Sequence, residues 1–195
     1  MMTEHEADRI IQQALKPRRY EHTIRVVETA DQLVERYGGD RKRIRLAAYL
    51  HDYAKYRDAD EMRSRINSSP SIPDNLHEHQ DELLHAFVGA LLLKEECGVE
   101  DKAVLQMIAS HTTGRAGMTL EEKILFLADY IEPGRTFAGA DAARQAAEES
   151  LEAGCLQASS QMIQFLAGKQ VSIYPASVEA YNDLIRQEQR RRISL

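Results

Sequence analysis

Apolar residues recur at helical spacing along most of this 195-residue chain, and the recurrences are bounded by caps, prolines and glycines. Such a pattern confines the fold to packed helices, because an apolar face with a 3.6-residue period cannot lie on one side of a strand. Ala7, Ile10, Ile11, Ala14 and Leu15 form the first stripe, and Thr3 and Glu6 precede it with the spacing of a capping box. Pro17 separates it from a second stripe, Ile24, Val27, Ala30, Val34 and Tyr37, which Gly38 and Gly39 stop. A third helix starts near Asp40 and runs through Leu46, Ala47 and Leu50 to Ala54, and residues 67–75, with Pro70 and Pro73, read as a loop. Further helices are expected over about 81–96, ended by Gly98, and over about 100–111. Thr119 and Glu122 make a second capping box, before Ile124, Leu125, Leu127 and Ala128, and Pro133-Gly134 closes that helix. Two more stretches cover about 140–153 and 156–167, and 170–175 is extended because Pro175 biases Tyr174 away from helix. The last helix runs from Ala176 towards Arg190. The expectation is an all-α, single-domain bundle of eight to ten helices spanning residues 1–195.

Composition narrows the function. With 43% hydrophobic and 29% charged residues, the chain has enough apolar surface to offset ordering entropy, which excludes disorder for its bulk. Its longest apolar run, residues 86–93, is far short of the about 20 residues of a membrane span. The start, Met-Met-Thr-Glu-His-Glu, lacks the basic and then apolar order of a signal peptide, so a cytoplasmic protein is expected. A net charge of −6 argues against a nucleic-acid partner, whose affinity comes from cationic contacts to phosphate, but leaves room for small phosphorylated ligands. Cys97 and Cys155 form no C-x-x-C pair and read as reduced, buried residues.

Six residues carry potential chemistry: His22, His51, Asp52, His85, His111 and Asp129, each on or at the end of an apolar helix. Imidazole and carboxylate groups ligate divalent first-row metals, and helix bundles build such sites from inward-facing side chains. One histidine on an apolar helix is more often a core residue with one hydrogen bond, and a late-helix aspartate is usually solvated. The ordered series of six in apolar surroundings, where an unpaired charge is costly, is what favours a site. Adjacent residues on a helix point about 100° apart, so His51 and Asp52 can share one ion only if the helix is edge-on to it or its last turn deviates.

The order H…HD…H…H…D resembles the HD-domain metal-dependent phosphohydrolase superfamily, and more narrowly its YqeK-type members, the bacterial symmetrical diadenosine tetraphosphatases. The segments that carry the likeness are Arg19-Tyr20-Glu21-His22-Thr23, Ala48-Tyr49-Leu50-His51-Asp52-Tyr53-Ala54-Lys55, His85-Ala86, Ile108-Ala109-Ser110-His111-Thr112-Thr113-Gly114, and Ala128-Asp129-Tyr130-Ile131-Glu132-Pro133-Gly134-Arg135. The resemblance extends from about Pro17 to Tyr181. It implies an HD core at about 17–135, with the helices of 136–195 completing a nucleotide site. It implies that His22, His51, Asp52 and Asp129 hold a divalent metal, with iron expected and manganese or cobalt as alternatives. His85 and His111 would face the phosphates, or share a second metal, and Lys55 and Arg19 would meet phosphate. Arg135, Thr136, Phe137, Ala138, Gly139, Ala140 and Asp141 would wrap the nucleotide, and Val171, Ser172, Ile173, Tyr174, Pro175 and Ala176 would line the base.

The activity this implies is hydrolysis of diadenosine tetraphosphate to two ADP by metal-activated water, which answers the needs of phosphoanhydride chemistry: a nucleophile and neutralised phosphate charge. A phosphohydrolase or phosphodiesterase acting on another nucleotide, and a non-catalytic nucleotide-binding module, are the alternatives. A homodimer is ordinary for a chain of this size. Other features read blandly. His77 and His79 lie two apart and share no helix face, His5 sits in a first turn, and Arg190-Arg191-Arg192 is a solvated helix end. Tyr20, Tyr49, Tyr53 and Tyr130 are packing residues that can reach a ligand's far side.

Overall fold

The computed structural model describes residues 2–193. Ten α-helices occupy them: α1 (Glu4–Ala14), α2 (Pro17–Tyr37), α3 (Arg41–Leu50), α4 (Ala59–Ser68), α5 (Leu84–Cys97), α6 (Lys102–Ser110), α7 (Leu120–Ile131), α8 (Ala138–Ala147), α9 (Leu151–Gly168) and α10 (Pro175–Ile193). Short 3₁₀ turns lie at Asp74–Glu78 and Asp81–Leu83, and there is no strand among the described residues. Met1 and residues 194–195, which belong to the expected 1–195 domain, lie outside the described residues.

Both capping boxes form, with Thr3 and Glu6 bonded reciprocally on α1 and Thr119 and Glu122 on α7. Pro17 occupies the first turn of α2, where its missing N–H costs nothing, and Gly98 closes α5 in the left-handed conformation.

Three boundaries depart from the sequence reading. The third helix ends at Leu50 instead of continuing to Ala54, and residues 51–56 form tight turns closed by Tyr53 N–H to Leu50 O (3.0 Å) and Lys55 N–H to Asp52 O (2.8 Å). Helix α4 was not expected. Its apolar contribution is only Met62 and Ile66, too thin a stripe to stand out, although Asp58 caps it through the Glu61 N–H. The break between α8 and α9 falls at Ser150, which caps Ala153, and not between residues 153 and 156. Gly154 is there for close approach: a Cβ on it would lie 2.9 Å from Ala147 Cβ and from Leu127 Cδ2.

The main core joins α1, α2, α3, α6 and α7 through residues such as Ile11, Val26, Ile44, Met107, Ile108, Ile124 and Leu125, all essentially sealed from solvent. α8, α9 and α10 continue it from α7 through Ala143, Ala147, Leu151, Cys155 and Leu184. A second cluster, Met62, Ile66, Leu76, Leu84, Val88, Leu92 and Tyr174, holds α4 and the 3₁₀ turns against α5. Gly89 on α5 lets Ala54 approach so closely that an added Cβ would meet its Cβ at 3.2 Å. Gly89 is one helical turn after His85, so this contact carries His85 towards the His51-Asp52 turn.

Glu122 ties the start of α7 to the loop after α6. It accepts from Ser110 Oγ (3.0 Å), Arg115 Nε (2.7 Å), Arg115 Nη2 (2.6 Å) and Thr119 N–H (2.8 Å). Burial raises its pKa, but Arg115 and the Thr119 amide outweigh burial and hold it below the ordinary value. A carboxylate with a depressed pKa stabilises the fold above its unfolded pKa and loses that contribution as pH falls through the folded value. Glu122→Gln is therefore expected to cost about 1–3 kcal/mol near neutrality, with a deficit that narrows below about pH 4.5. Urea unfolding at pH 7 and pH 4 checks this, and a deficit of equal size at both pH values contradicts it.

Candidate active site

Five elements converge on one buried patch. Helix α2 brings Arg19 and His22 from its first two turns, the end of α3 and the turns after it bring His51, Asp52 and Lys55, and the start of α5 brings His85. His111 is the residue that caps α6, and α7 brings Asp129 two residues before its end. His51 and Asp52 are completely buried, and His22, His85 and His111 nearly so. The helix ends at Leu50, so the last turn does deviate, and His51 Nε2 lies 3.0 Å from Asp52 Oδ2.

Three imidazoles are anchored through Nδ1. His51 donates to the Ala48 carbonyl (2.7 Å), His111 to the Ile108 carbonyl (2.7 Å), and His22 to Glu132 Oε1 (3.0 Å). Each ring's Nε2 is then a lone pair aimed inwards. His22 Nε2 lies 3.1 Å from Asp129 Oδ1 and 3.7 Å from Asp52 Oδ2, yet His22 Nε2, His51 Nε2 and Asp52 Oδ1 have no hydrogen-bond partner. Lone pairs facing carboxylate oxygens in a buried space repel unless a cation lies between them. One donor atom each from His22, His51 and Asp129 fall within 4.8 Å of one another, and so do those from His51, Asp52 and His111. The donor set, imidazole nitrogen and carboxylate oxygen, fits a divalent first-row metal.

The electrostatics agree. Burial opposes a charged His51, but Asp52 and then Asp129 overcome it and raise its pKa. Asp52 and Asp129 stay ionised against their own burial, held far below the usual carboxylate range mainly by His51 and by His22 respectively. The patch recruits positive charge. At its other end burial wins: the pKa of His85 is lowered, and His111, with His51 and His85 beside it, is pushed down to about 3. Burial also lowers Lys55. The Lys55 ammonium can only donate, so His85 Nδ1 (3.4 Å) accepts and the His85 proton sits on Nε2. That N–H faces Asp52 Oδ1 (3.2 Å) and His111 Nε2 (3.3 Å).

The structure thus gathers Arg19, His22, His51, Asp52, Lys55, His85, His111, Asp129 and Arg135. The two arginines contact the carboxylates directly: Arg19 Nε pairs with Asp52, and Arg135 Nη2 with Asp129 (2.9 Å). The remaining sequence candidates lie further out. Ala140 is packed in the core, and Asp141 turns to Arg144 (2.5 Å) on the surface. Thr136 and Ala138 are exposed, whereas Phe137 and Gly139 adjoin Tyr130. Val171, Ser172 and Pro175 are exposed, and Ile173 and Ala176 are half-buried. Tyr174 is buried against Phe87 and His79. The Ser172 carbonyl accepts from Gln80 Nε2 (3.0 Å).

Glu132 is the residue that the sequence reading left without a role. It is 2% exposed and accepts from Arg25 Nε (2.6 Å) and Gly134 N–H (2.6 Å) as well as His22. The available signal was its position three residues after Asp129, which puts the two on one helix face. Glu132→Gln weakens the grip on the His22 ring and is expected to reduce metal affinity about 10–100-fold. Competition against a chelator measures this, and an unchanged affinity contradicts it. His77 and His79 stay outside the site, bonded to Asn67 (2.8 Å) and Ser172 (2.9 Å). Arg191 and Arg192 pair with Glu188 at 2.7 and 3.1 Å at the expected helix end.

A family model described as HD domain matches residues 19–134. A protein of Halalkalibacterium halodurans named bis(5'-nucleosyl)-tetraphosphatase, symmetrical, is 45% identical over 187 residues, covering 96% of this chain and 100% of its own length. A Bacillus subtilis protein of the same name is 42% identical, covering 94% and 98%. The crystal structure of a predicted HD superfamily hydrolase involved in NAD metabolism from Clostridium acetobutylicum superposes with a TM-score of 0.88 at 34% identity, over 96% of this chain and 99% of that one. The histidines and aspartates of the patch all fall within the matched span, and the chain belongs to the HD-domain family, in the group that includes these symmetrical tetraphosphatases.

Proposed function

We propose that this protein hydrolyses diadenosine tetraphosphate symmetrically, giving two ADP. The observation that carries this reading is the buried set of imidazole and carboxylate atoms with no hydrogen-bond partner, in a chain 45% identical over 96% of its length to a protein named for that activity. His22, His51, Asp52 and Asp129 are the residues that would hold a divalent cation, iron in this reading, with manganese or cobalt as substitutes. When bound, that ion supplies an activated water and Lewis acidity.

The chain's own groups account for the rest. Lys55, Arg19 and Arg135 supply positive charge to the polyphosphate, the two arginines exchanging a carboxylate for a phosphate. Water attacks one of the two central phosphorus atoms, and the bond from that phosphorus to the central bridging oxygen breaks. The bridging oxygen leaves with ADP. His85 carries its proton on Nε2, placed to stabilise or protonate that oxygen, and His111 orients His85. The helices after residue 135 complete the nucleotide site around an HD core of about 17–135, with the 135–141 segment wrapping the nucleotide and the 171–176 backbone lining a base. No helix among the described residues is long and apolar enough to cross a membrane, and a nucleotide substrate fits work in the cytoplasm.

Product analysis tests the proposal. Incubation of the metal-loaded protein with diadenosine tetraphosphate, followed by ion exchange, is expected to yield ADP alone. AMP plus ATP rejects the symmetric attack, and absence of turnover on this substrate with activity on mononucleotides or cyclic nucleotides transfers the site to another phosphohydrolase reaction.

A further inference from the structure

A symmetrical dinucleotide has two identical bases, and the 171–176 segment can line only one. We propose that the cavity between α7, α8 and α9 binds the second nucleobase of the substrate, stacked on Phe137 and Phe165; this rests on the dinucleotide reading above. The cavity has a volume of about 560 Å³, within the range of small-molecule sites, and none of residues 171–176 lines it. Arg135 lines it, and the same side chain reaches Asp129 (2.9 Å), so the cavity adjoins the histidine–aspartate patch.

Its walls suit a flat heteroaromatic ring. Tyr130 and Phe137 meet edge to face at 5.3 Å, and Met162 adds apolar wall. Phe137 and Phe165 are 45% and 64% exposed, an aromatic outlay that packing does not explain. Gln161 provides an amide donor and acceptor at the same wall, the pair of groups that reads a base edge. Gly139 lets the start of α8 close against that wall: a Cβ there would lie 2.9 Å from the Tyr130 hydroxyl and 3.4 Å from Gln161 Cβ. A cation, aromatic faces and an amide in one cavity match the phosphate and base of one half of a dinucleotide.

The test is equilibrium binding of a non-hydrolysable, methylene-bridged diadenosine tetraphosphate and of ADP to the full-length protein with manganese(II). The wild-type protein is expected to bind the dinucleotide more tightly than ADP. Phe165→Ala, a truncation at an exposed position, is expected to reduce the ratio of the two affinities about tenfold, the scale of one lost base–aromatic stack. Phe165→Trp should restore the ratio. Equal weakening of both ligands, no change in the ratio, or a wild-type protein that prefers ADP would each overturn the second base site. Failure of the hydrolase reading shows separately, as binding of the dinucleotide analogue without turnover of the parent compound.

Discussion

Asp52→Ala should abolish metal retention and activity while the helical circular dichroism persists. Asp52 is the hub of the patch, with one oxygen beside His51 and Arg19 and the other beside His85. It is completely buried and contributes no apolar packing that the helices need. Its carboxylate is also what raises the pKa of His51 and of Arg19 against burial. Removing it would delete one of the proposed ligands and leave a more positive cavity, which disfavours a divalent cation twice over. Lewis-acid stabilisation is worth several kcal/mol, so turnover is expected to fall by about 10³-fold or more. Metal analysis after gel filtration, with circular dichroism alongside, decides the matter. Full metal content and full activity in the variant would sink the assignment of the centre.

His111→Ala is the second large effect, and it separates two versions of the site. His111 has its Nδ1 fixed on Ile108 O, its Nε2 against the His85 N–H, and a pKa pushed down to about 3 by burial and by the adjacent His51 and His85 imidazoles. It is neutral near neutral pH and, in the proposed reaction, orients His85 towards the phosphates. Its loss should leave metal content intact and lower turnover by about 10²-fold, the scale of a misplaced acid–base group. His111 also belongs to the second group of close donor atoms, with His51 and Asp52. A variant that retains half the wild-type metal would contradict the orienting role and establish a second ion shared by that trio.

Much of this protein was legible in the residues alone, and for local reasons. Capping boxes at Thr3 and Thr119, proline at position 17 and glycine at position 98 act within one turn of backbone, so they fix helix ends wherever the helix later packs. The six histidines and aspartates were conspicuous because an ionisable group on an apolar stripe costs free energy unless something pairs with it. Helix α4 shows the opposite case: two apolar residues give no stripe, and its stability comes from burying Met62 and Ile66 against α5. The break expected between residues 153 and 156 is absent, and Gly154 instead lies within α9, where it admits Ala147 and Leu127 at close range.

Composition, periodicity and motif order by themselves determined an all-α chain with a metal-type residue series, because helix periodicity and residue chemistry are properties of the chain read in order. The tertiary structure decided which of those residues share one space, and on what terms. It ended α3 at Leu50 and so brought His51 and Asp52 to one centre, seated Glu132 behind His22, and placed Arg19 and Arg135 on the carboxylates. These are contacts between groups up to 110 positions apart, and their energies depend on burial and distance, which exist only once the helices have packed.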